Sequence, residues 1–180
     1  MDRQEAETRL LDAAESLFYR RGVQAVGMDE LRTASGVSLK RLYGTFPSKE
    51  ALVTAYLERR DLRWTASLEG YVATRDDPVA AVFDWLGEWF ASDDFHGCAF
   101  INAYGELGEG TAPVAAAARA HKERLRRFLH GLVEDDVLAA QLVMLVDGAI
   151  VSAAMTRDPG AAATAGAAAE ALVRSRVTRT

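Results

Sequence analysis

The chain has 180 residues, of which 49% are hydrophobic and four are proline, so it is long enough for one large or two small packed domains and too apolar to be disordered. Its first residues are charged and follow a helical hydrophobic period, and we therefore expect no export signal. A single cysteine, Cys98, excludes an internal disulfide. The longest apolar run, residues 137–155, is interrupted by polar side chains, so we expect a buried helix, no membrane span and a cytoplasmic protein.

Charge is unevenly distributed along the chain. Residues 1–63 carry 11 Lys and Arg against 10 Asp and Glu, a net charge of +1, whereas residues 64–180 carry 10 against 16, a net charge of −6; together they make the net charge of −5. This asymmetry indicates that the two parts of the chain have different partners.

Helical periodicity predicts nine helices and no convincing strand, so the expected fold class is all-α. In chain order the predicted helices span 3–21, 28–35, a short segment between Ser38 and Gly44, 48–71, 79–90, 98–107, 113–129, 135–156 and 159–173. We expect two domains, residues 1–47 and residues 48–180, with helix 48–72 as the connector.

The second and third predicted helices, separated by a turn at Gly36, have the pattern of a helix-turn-helix motif. The core of such a motif is expected to contain Leu31, Ala34, Val37, Leu42 and Phe46. The remaining side chains of the third helix then point outward, where they can reach the major groove of DNA. Cations there can bind guanine edges or phosphates, leucine can contact a thymine methyl group, and tyrosine can donate to a phosphate; these residues are Leu39, Lys40, Arg41 and Tyr43.

The run GVQAVGMDELRTASGVSLKRLYGTFPSKEALV resembles the DNA-binding domain of TetR-type transcriptional regulators, and the resemblance covers about residues 3–58. It implies a homodimeric repressor that binds a double-stranded DNA operator and has a helical, ligand-receiving C-terminal domain. The residues at the positions of the family's DNA contacts are Ser38, Leu39, Lys40, Tyr43, Thr45 and Lys49. The chain departs from the family pattern at Gly27, Arg32, Arg41 and Thr45, so the family's operator sequence does not carry over.

Other interpretations of these residues remain open. Lys40 and Arg41 can be a solvated surface pair, Tyr43 can belong to the core, and Lys49 can be an ordinary residue of a first helical turn. A second basic run, residues 119–127, is better interpreted as the solvated face of an amphipathic helix than as another nucleic-acid site.

The segment HGCAFINAYGE, residues 96–106, resembles the GC-x3-N-x3-E segment of one TetR subgroup. Cys98, Asn102 and Glu106 follow at four-residue steps and share one helix face, where they can satisfy each other or contact a ligand. Aromatic side chains nearby predict a mostly apolar cavity for a small-molecule effector, although they can also be ordinary core. The predicted ligand-binding residues are Trp85, Trp89, Cys98, Phe100, Asn102, Tyr104, Glu106 and Met144. The acidic half of the chain favours a neutral or cationic aromatic compound.

The last two predicted helices are expected to form a four-helix bundle with the same helices of a second chain. The predicted dimerisation residues are Leu142, Leu145, Ala149, Ala165, Ala169 and Leu172. An alanine-rich capping helix is the alternative interpretation of residues 159–173.

No catalytic set, phosphate loop, cofactor motif or metal-ligand spacing is visible, so an enzyme is not expected. The predicted function is a sequence-specific repressor that releases a near-palindromic operator when an effector binds. A regulator without an effector and a DNA-architectural protein are the alternatives.

Overall fold

The computed structural model describes residues 2–177, apart from the side chains of Glu109 and Val177, and this part of the chain forms nine α-helices and no strand. The helices are α1 (Arg3–Arg21), α2 (Met28–Ser35), α3 (Leu39–Thr45), α4 (Lys49–Val72), α5 (Pro78–Phe90), α6 (Ala99–Leu107), α7 (Ala112–Val133), α8 (Asp136–Thr156) and α9 (Ala161–Val177). A 3-10 turn, Gly108–Gly110, follows α6. The all-α prediction is confirmed. Residues 178–180, which end the predicted second domain, lie outside the described residues.

Capping side chains fix where several helices begin. Asp2, Asp77 and Asp135 stand before α1, α5 and α8, and each carboxylate accepts a backbone N–H of the first turn, at 2.8, 3.0 and 2.8 Å. A carboxylate at this position satisfies an N–H that has no partner within the helix and also interacts favourably with the helix dipole. The sequence therefore determines these helix starts locally.

The chain packs into two compact units. The first comprises Met1–Leu62 and Ala99–Ala120, and the second comprises Arg63–Cys98 and His121–Thr180, so α4 and α7 contribute residues to both. The predicted domain boundary at residue 47 falls inside the first unit.

In the first unit, α1 packs against α2 and α3 over a core of fully buried leucines. The rings of Phe18 and Tyr56 meet edge to face at 5.7 Å between centroids, which joins α1 to the first half of α4. Ion pairs reinforce this contact, because Arg59 lies 2.7 Å from Asp12 and 2.8 Å from Glu15. The first half of α4 is thus held on α1 by both apolar and charged contacts.

In the second unit, α9 packs against both α5 and α8. A Cβ atom added at Gly166 of α9 would lie 3.1 Å from the Phe83 Cβ of α5, and one added at Gly87 of α5 would lie 3.6 Å from the Ala162 Cβ of α9. The distance at Gly166 is tighter than most real contacts, so a glycine favours the close approach of the two helices there, whereas the distance at Gly87 is an ordinary contact. The alanine and glycine content of α9 therefore serves packing within the chain.

Helix α8 is apolar on most of its surface. It is long and apolar enough to cross a membrane by length and composition alone, a test that core helices also pass, and 39% of its most apolar window is buried inside the structure. The described part of the chain has one such helix.

Candidate nucleic-acid interface

The helix-turn-helix motif consists of α2, the turn Gly36–Ser38 and α3. Gly36 adopts φ 66° and ψ 17°, the left-handed conformation in which glycine has no steric penalty. Ser38 then caps α3, its hydroxyl oxygen accepting the Arg41 N–H at 3.4 Å. The left-handed Gly36 ends α2 and Ser38 caps α3, so a turn of three residues separates the two helices.

Buried side chains fix the orientation of α3. Leu31, Val37, Leu42 and Phe46 are all buried, as predicted for the core of the motif. The same prediction was wrong for Ala34, which is exposed.

Ser35 occupies the core position next to Ala34. It lies four residues after Leu31 and therefore faces the core, where its hydroxyl donates to the Arg32 carbonyl at 3.2 Å and accepts the Val37 N–H at 3.3 Å. The four-residue step from Leu31 was the signal that could have identified it.

The opposite face of α3 is exposed. Leu39 and Tyr43 are each 47% exposed, and Lys40 and Arg41 between them are exposed too. Two large apolar or aromatic side chains and two cations thus share a short helix surface. An exposed leucine and tyrosine are not stabilising in water, and their position suits a surface that another molecule covers.

The other predicted DNA contacts flank this face. Ser38 is exposed at the start of α3, and Thr45 is half-buried near its end, with its hydroxyl donating to the Arg41 carbonyl at 2.9 Å. Lys49 is half-buried in the first turn of α4, where the Ser48 hydroxyl accepts the Ala51 N–H at 3.2 Å. The segment from residue 38 to 49 therefore contains all seven residues, six on α3 and its cap and Lys49 at the start of α4.

Charge at the start of α4 is arranged around Lys49. Hydrogen bonds from its own backbone N–H and from the Ser48 hydroxyl hold the pKa of Glu50 below its usual value, and the adjacent Lys49 lowers the pKa further. Glu50 therefore remains ionised at neutral pH. A carboxylate in the first turn offsets the unfavourable position of a lysine at the positive end of the helix.

The predicted ligand-binding residues are divided between the two units. Trp85, Trp89, Cys98 and Met144 belong to the second unit, and Phe100, Asn102, Tyr104 and Glu106 belong to the first. Cys98 and Phe100 are buried, Asn102 and Tyr104 are exposed, and Glu106 is half-buried. Met144 is 73% exposed.

Three tryptophans pack together in the second unit. The Trp64 ring meets those of Trp85 and Trp89 edge to face, at 5.1 and 5.9 Å between centroids, and Trp85 and Trp89 are tilted at 5.6 Å. His121 and Phe95 extend this cluster, at 5.1 Å from Trp64 and 5.0 Å from Trp89. Trp64 and His121 were not predicted, because they lie on α4 and α7 and no spacing in the sequence relates them to α5.

A cavity of about 580 Å³ also lies in the second unit. Its lining includes the first turn of α5, the last turn of α7 and Val173, Arg174 and Arg176 of α9. The predicted ligand-binding residues are not among its lining residues. Within the described part of the chain, no group of three or more His, Cys, Asp or Glu side chains is placed to hold a metal ion.

Most of the predicted dimerisation residues are covered within a single chain. Leu142, Ala149, Ala165 and Ala169 are buried, whereas Leu145 and Leu172 are half-buried. The outward face of α8 is a different set of residues, which we call the α8 stripe: the half-buried Gln141 and the exposed Val137, Met144, Gly148, Val151 and Met155. These residues recur at steps of four and three, the spacing of a helix that packs along another helix.

Comparison with known proteins agrees with this architecture. Residues 10–56 match the family model described as bacterial regulatory proteins, tetR family. The crystal structure of a TetR-family transcriptional regulator from Streptomyces coelicolor superposes with a TM-score of 0.86 at 30% identity, covering 96% of each chain. The chain belongs to the TetR family.

Two curated relatives match over shorter segments. An uncharacterised HTH-type transcriptional regulator of Mycobacterium tuberculosis is 48% identical over 58 residues, 32% of this chain and 29% of the relative. The HTH-type transcriptional activator FasR of Mycolicibacterium smegmatis is 44% identical over 93 residues, 48% of this chain and 42% of FasR. The matched part of the chain thus spans less than half the length of these relatives. TetR-family regulators are soluble, cytoplasmic and non-enzymatic DNA-binding proteins, so the prediction that the chain is not an enzyme is confirmed.

Proposed function

We propose that this TetR-family protein is a homodimeric transcriptional regulator that binds a near-palindromic DNA operator through α3 and releases it when a small molecule binds. The observation that carries the proposal is the exposed face of α3, where Leu39, Lys40, Arg41 and Tyr43 surround a helix whose other face is anchored by the buried Leu42. A net charge of −5 would oppose non-specific attraction to DNA, so contact depends on this local group of cations.

Each residue of the interface has a chemically distinct role in this proposal. Lys40 and Arg41 donate to guanine edges or phosphates, and Leu39 contacts a thymine methyl group. Tyr43, Thr45 and Lys49 bind phosphates, which positions α3 without reading sequence. Ser38 both caps α3 and can reach the DNA backbone with its hydroxyl group.

The α8 stripe supports the homodimer. Met144 is 73% and Met155 is 80% exposed in the single chain, and both lie on a face with heptad-like spacing. A second copy of the same stripe covers this apolar surface in a symmetric, self-complementary contact. The dimer then presents two α3 helices to two half-sites, which is why the operator is expected to be near-palindromic.

The tryptophan cluster supports an aromatic effector. Trp64 and Trp89 are half-buried beside the buried Trp85, and partly accessible aromatic surfaces of this kind bind flat apolar rings and cations. We therefore retain a neutral or cationic aromatic compound as the effector class. Glu106 supports this class less, because its carboxylate already accepts two backbone N–H groups.

The proposal is tested by selecting bound sequences from a random duplex library with the purified full chain. We expect a near-palindrome whose half-sites lie about 34 Å apart or at a multiple of that distance, with affinity that falls steeply as salt rises. Equal binding to the selected and to random duplexes would instead indicate an architectural protein. Operator release is then screened with neutral, cationic and anionic aromatic compounds; a protein that binds its operator but responds to none is a regulator without an effector of these classes.

Transcriptional activation is the second candidate, because the curated relative FasR, 44% identical over 93 residues, is an activator. Transcription in vitro from a promoter that carries the selected operator separates the two outcomes. Repression predicts less transcript on addition of the protein, and activation predicts more.

A further inference from the structure

Glu106, at the C-terminal end of α6, is bonded to the turn that leads into the helix-turn-helix motif. Its Oε1 accepts the Val23 N–H at 3.0 Å and its Oε2 accepts the Gln24 N–H at 2.7 Å. The Gln24 side-chain amide donates in return to the Glu106 backbone carbonyl. All of these residues belong to the first unit, although 82 residues separate Gln24 from Glu106 in the chain.

The turn is shaped to receive this carboxylate. Gly22 ends α1 with φ 86°, a conformation that a residue with a side chain rarely adopts. A Cβ atom added at Gly22 would lie 2.8 Å from Glu106 Oε1, so a side chain there would displace the carboxylate. Two successive backbone N–H groups and a glycine thus form a small concave site for an anion, and Glu106 fills it.

The contact anchors the turn that leads into α2. Val23 and Val26 of the turn are buried, and the Gly27 carbonyl that ends the turn accepts the first hydrogen bond of α2, from Leu31, at 3.2 Å. A second tie across the turn, between Arg21 and Glu30, is exposed to solvent, and exposed ion pairs contribute little. The bonds from Val23 and Gln24 to Glu106 are charge-assisted, and the one from Val23 is part-buried, so they add a stronger kind of restraint to the turn.

We propose that Glu106 is a positioning residue for DNA binding: its carboxylate holds the α1–α2 turn, and through the turn it orients α2 and α3 toward the operator. This inference rests on the proposed DNA binding and assigns to Glu106 a role other than contact with an effector. It also makes the helix-turn-helix motif sensitive to any displacement of α6.

The test compares Glu106→Gln and Glu106→Asp with a matched charge control, Glu58→Gln, at an exposed position of α4. Gln keeps one acceptor oxygen but presents an NH₂ group to the second N–H, whereas Asp keeps the charge and is one methylene too short to reach both donors. We expect both variants to lose about tenfold or more in affinity for the selected operator, with a smaller loss on random duplex, and the control to bind like wild type.

Amide hydrogen exchange of the DNA-free protein supplies a readout that does not depend on DNA. Exchange in a peptide covering residues 22–27 should accelerate in both Glu106 variants, while exchange in residues 52–57 of α4 stays as in wild type. This local pattern distinguishes positioning from general destabilisation, which would accelerate both segments.

The possible outcomes separate this inference from the proposed function. A wild-type protein that selects no DNA sequence would refute the proposed function, whereas the exchange data would still report on the turn. The positioning role would be overturned if Glu106→Gln bound the operator with wild-type affinity, or if hydrogen exchange accelerated in both segments. It would also be overturned if Glu106→Asp alone bound normally, because the charge of Glu106 would then matter and its geometry would not. Should Glu106→Gln not fold, Glu106→Asp and Gln24→Ala provide the same comparison, with Gln24→Ala removing only the reciprocal bond to the α6 carbonyl.

Discussion

Met144→Ala tests the α8 stripe as the dimer interface. Met144 is 73% exposed in the single chain, so truncating it removes little packing within the chain. Covering a methionine side chain fully contributes about 1.5–3 kcal/mol, and covering its exposed three quarters contributes about 1–2 kcal/mol. Because a two-fold dimer contains the residue twice, the expected loss is about 2–4 kcal/mol of dimerisation free energy, or roughly 30- to 1,000-fold in the dimer dissociation constant.

The assay is sedimentation velocity over a dilution series, combined with thermal unfolding of the same samples. Leu142→Ala is the matched control, since Leu142 lies on the same helix but is fully buried in its own chain. It should cost about 2–5 kcal/mol of chain stability, as large-to-small changes in cores do. Met144→Ala should leave the stability of the monomer within about 0.5 kcal/mol of wild type.

A bulky residue at Gly148 provides an independent check. Gly148 lies in the middle of the α8 stripe, and a Cβ atom added there has no atom within 4 Å in the single chain. Gly148→Leu should therefore fold and still block the approach of a partner helix. The reasoning is refuted if wild type is monomeric at micromolar concentration, or if Met144→Ala and Gly148→Leu both dimerise with the wild-type dissociation constant.

Three further predictions concern the interface and helix ends. Lys40→Ala should cost about 1–3 kcal/mol of binding free energy on the selected operator and relax sequence specificity, whereas Lys49→Ala should weaken binding to all sequences and lower the slope of log affinity against log salt by about one. Titrations at several salt concentrations test this. Equal effects of both substitutions on operator and on random duplex would contradict these roles. Gly27 precedes α2 in an extended conformation, has open space around it and has no side chain to cap the helix. Gly27→Ser should therefore raise the thermal midpoint slightly by capping α2, and should strengthen binding to all DNA if this helix end lies near a phosphate. A fall in DNA affinity would count against a phosphate there. The hydrogen bond from the Leu138 N–H holds the pKa of Asp135 below its usual value, so the ionised carboxylate stabilises the folded state above the unfolded pKa, and this stabilisation is lost as pH falls through the lower folded pKa. The difference in thermal midpoint between wild type and Asp135→Asn should therefore shrink as pH is lowered from about 6 to 2. A constant difference would exclude the carboxylate charge as its cause.

The helix-turn-helix motif could be predicted almost completely from local signals. Gly36 requires a left-handed turn, Ser38 caps the following helix, and the buried Leu42 fixes which face of α3 turns outward. The error at Ala34 has a local cause as well. In an eight-residue helix, both three- and four-residue steps from Leu31 are compatible with burial, and alanine is small enough to be accepted at either position.

The face that α8 presents to a partner could not be predicted from the sequence. Apolar residues occur on most sides of the helix, so periodicity alone does not distinguish the face packed in the chain from the one left exposed. Leu142 and Met144 are equally reasonable choices in the sequence, and only the structure shows that Leu142 is buried and Met144 is exposed. The tryptophan cluster could not be predicted either, because its tryptophans come from α4 and α5 and meet only after folding.

In the first unit, α4 and α6 are each held by polar contacts, and the two sets of contacts differ in number. Arg59 and Arg60 of α4 form three ion-pair contacts with Asp12 and Glu15 of α1, and Arg60 also lies 3.6 Å over the Tyr19 ring. Several contacts of this kind must break together before the first half of α4 can separate from α1. Helix α6, in contrast, holds the α1–α2 turn through the carboxylate of Glu106 and one reciprocal bond from Gln24, and a shift of about 1 Å lengthens those bonds beyond hydrogen-bonding distance. Within this unit, moving α6 away from the α1–α2 turn therefore breaks fewer charged contacts than moving the first half of α4 away from α1.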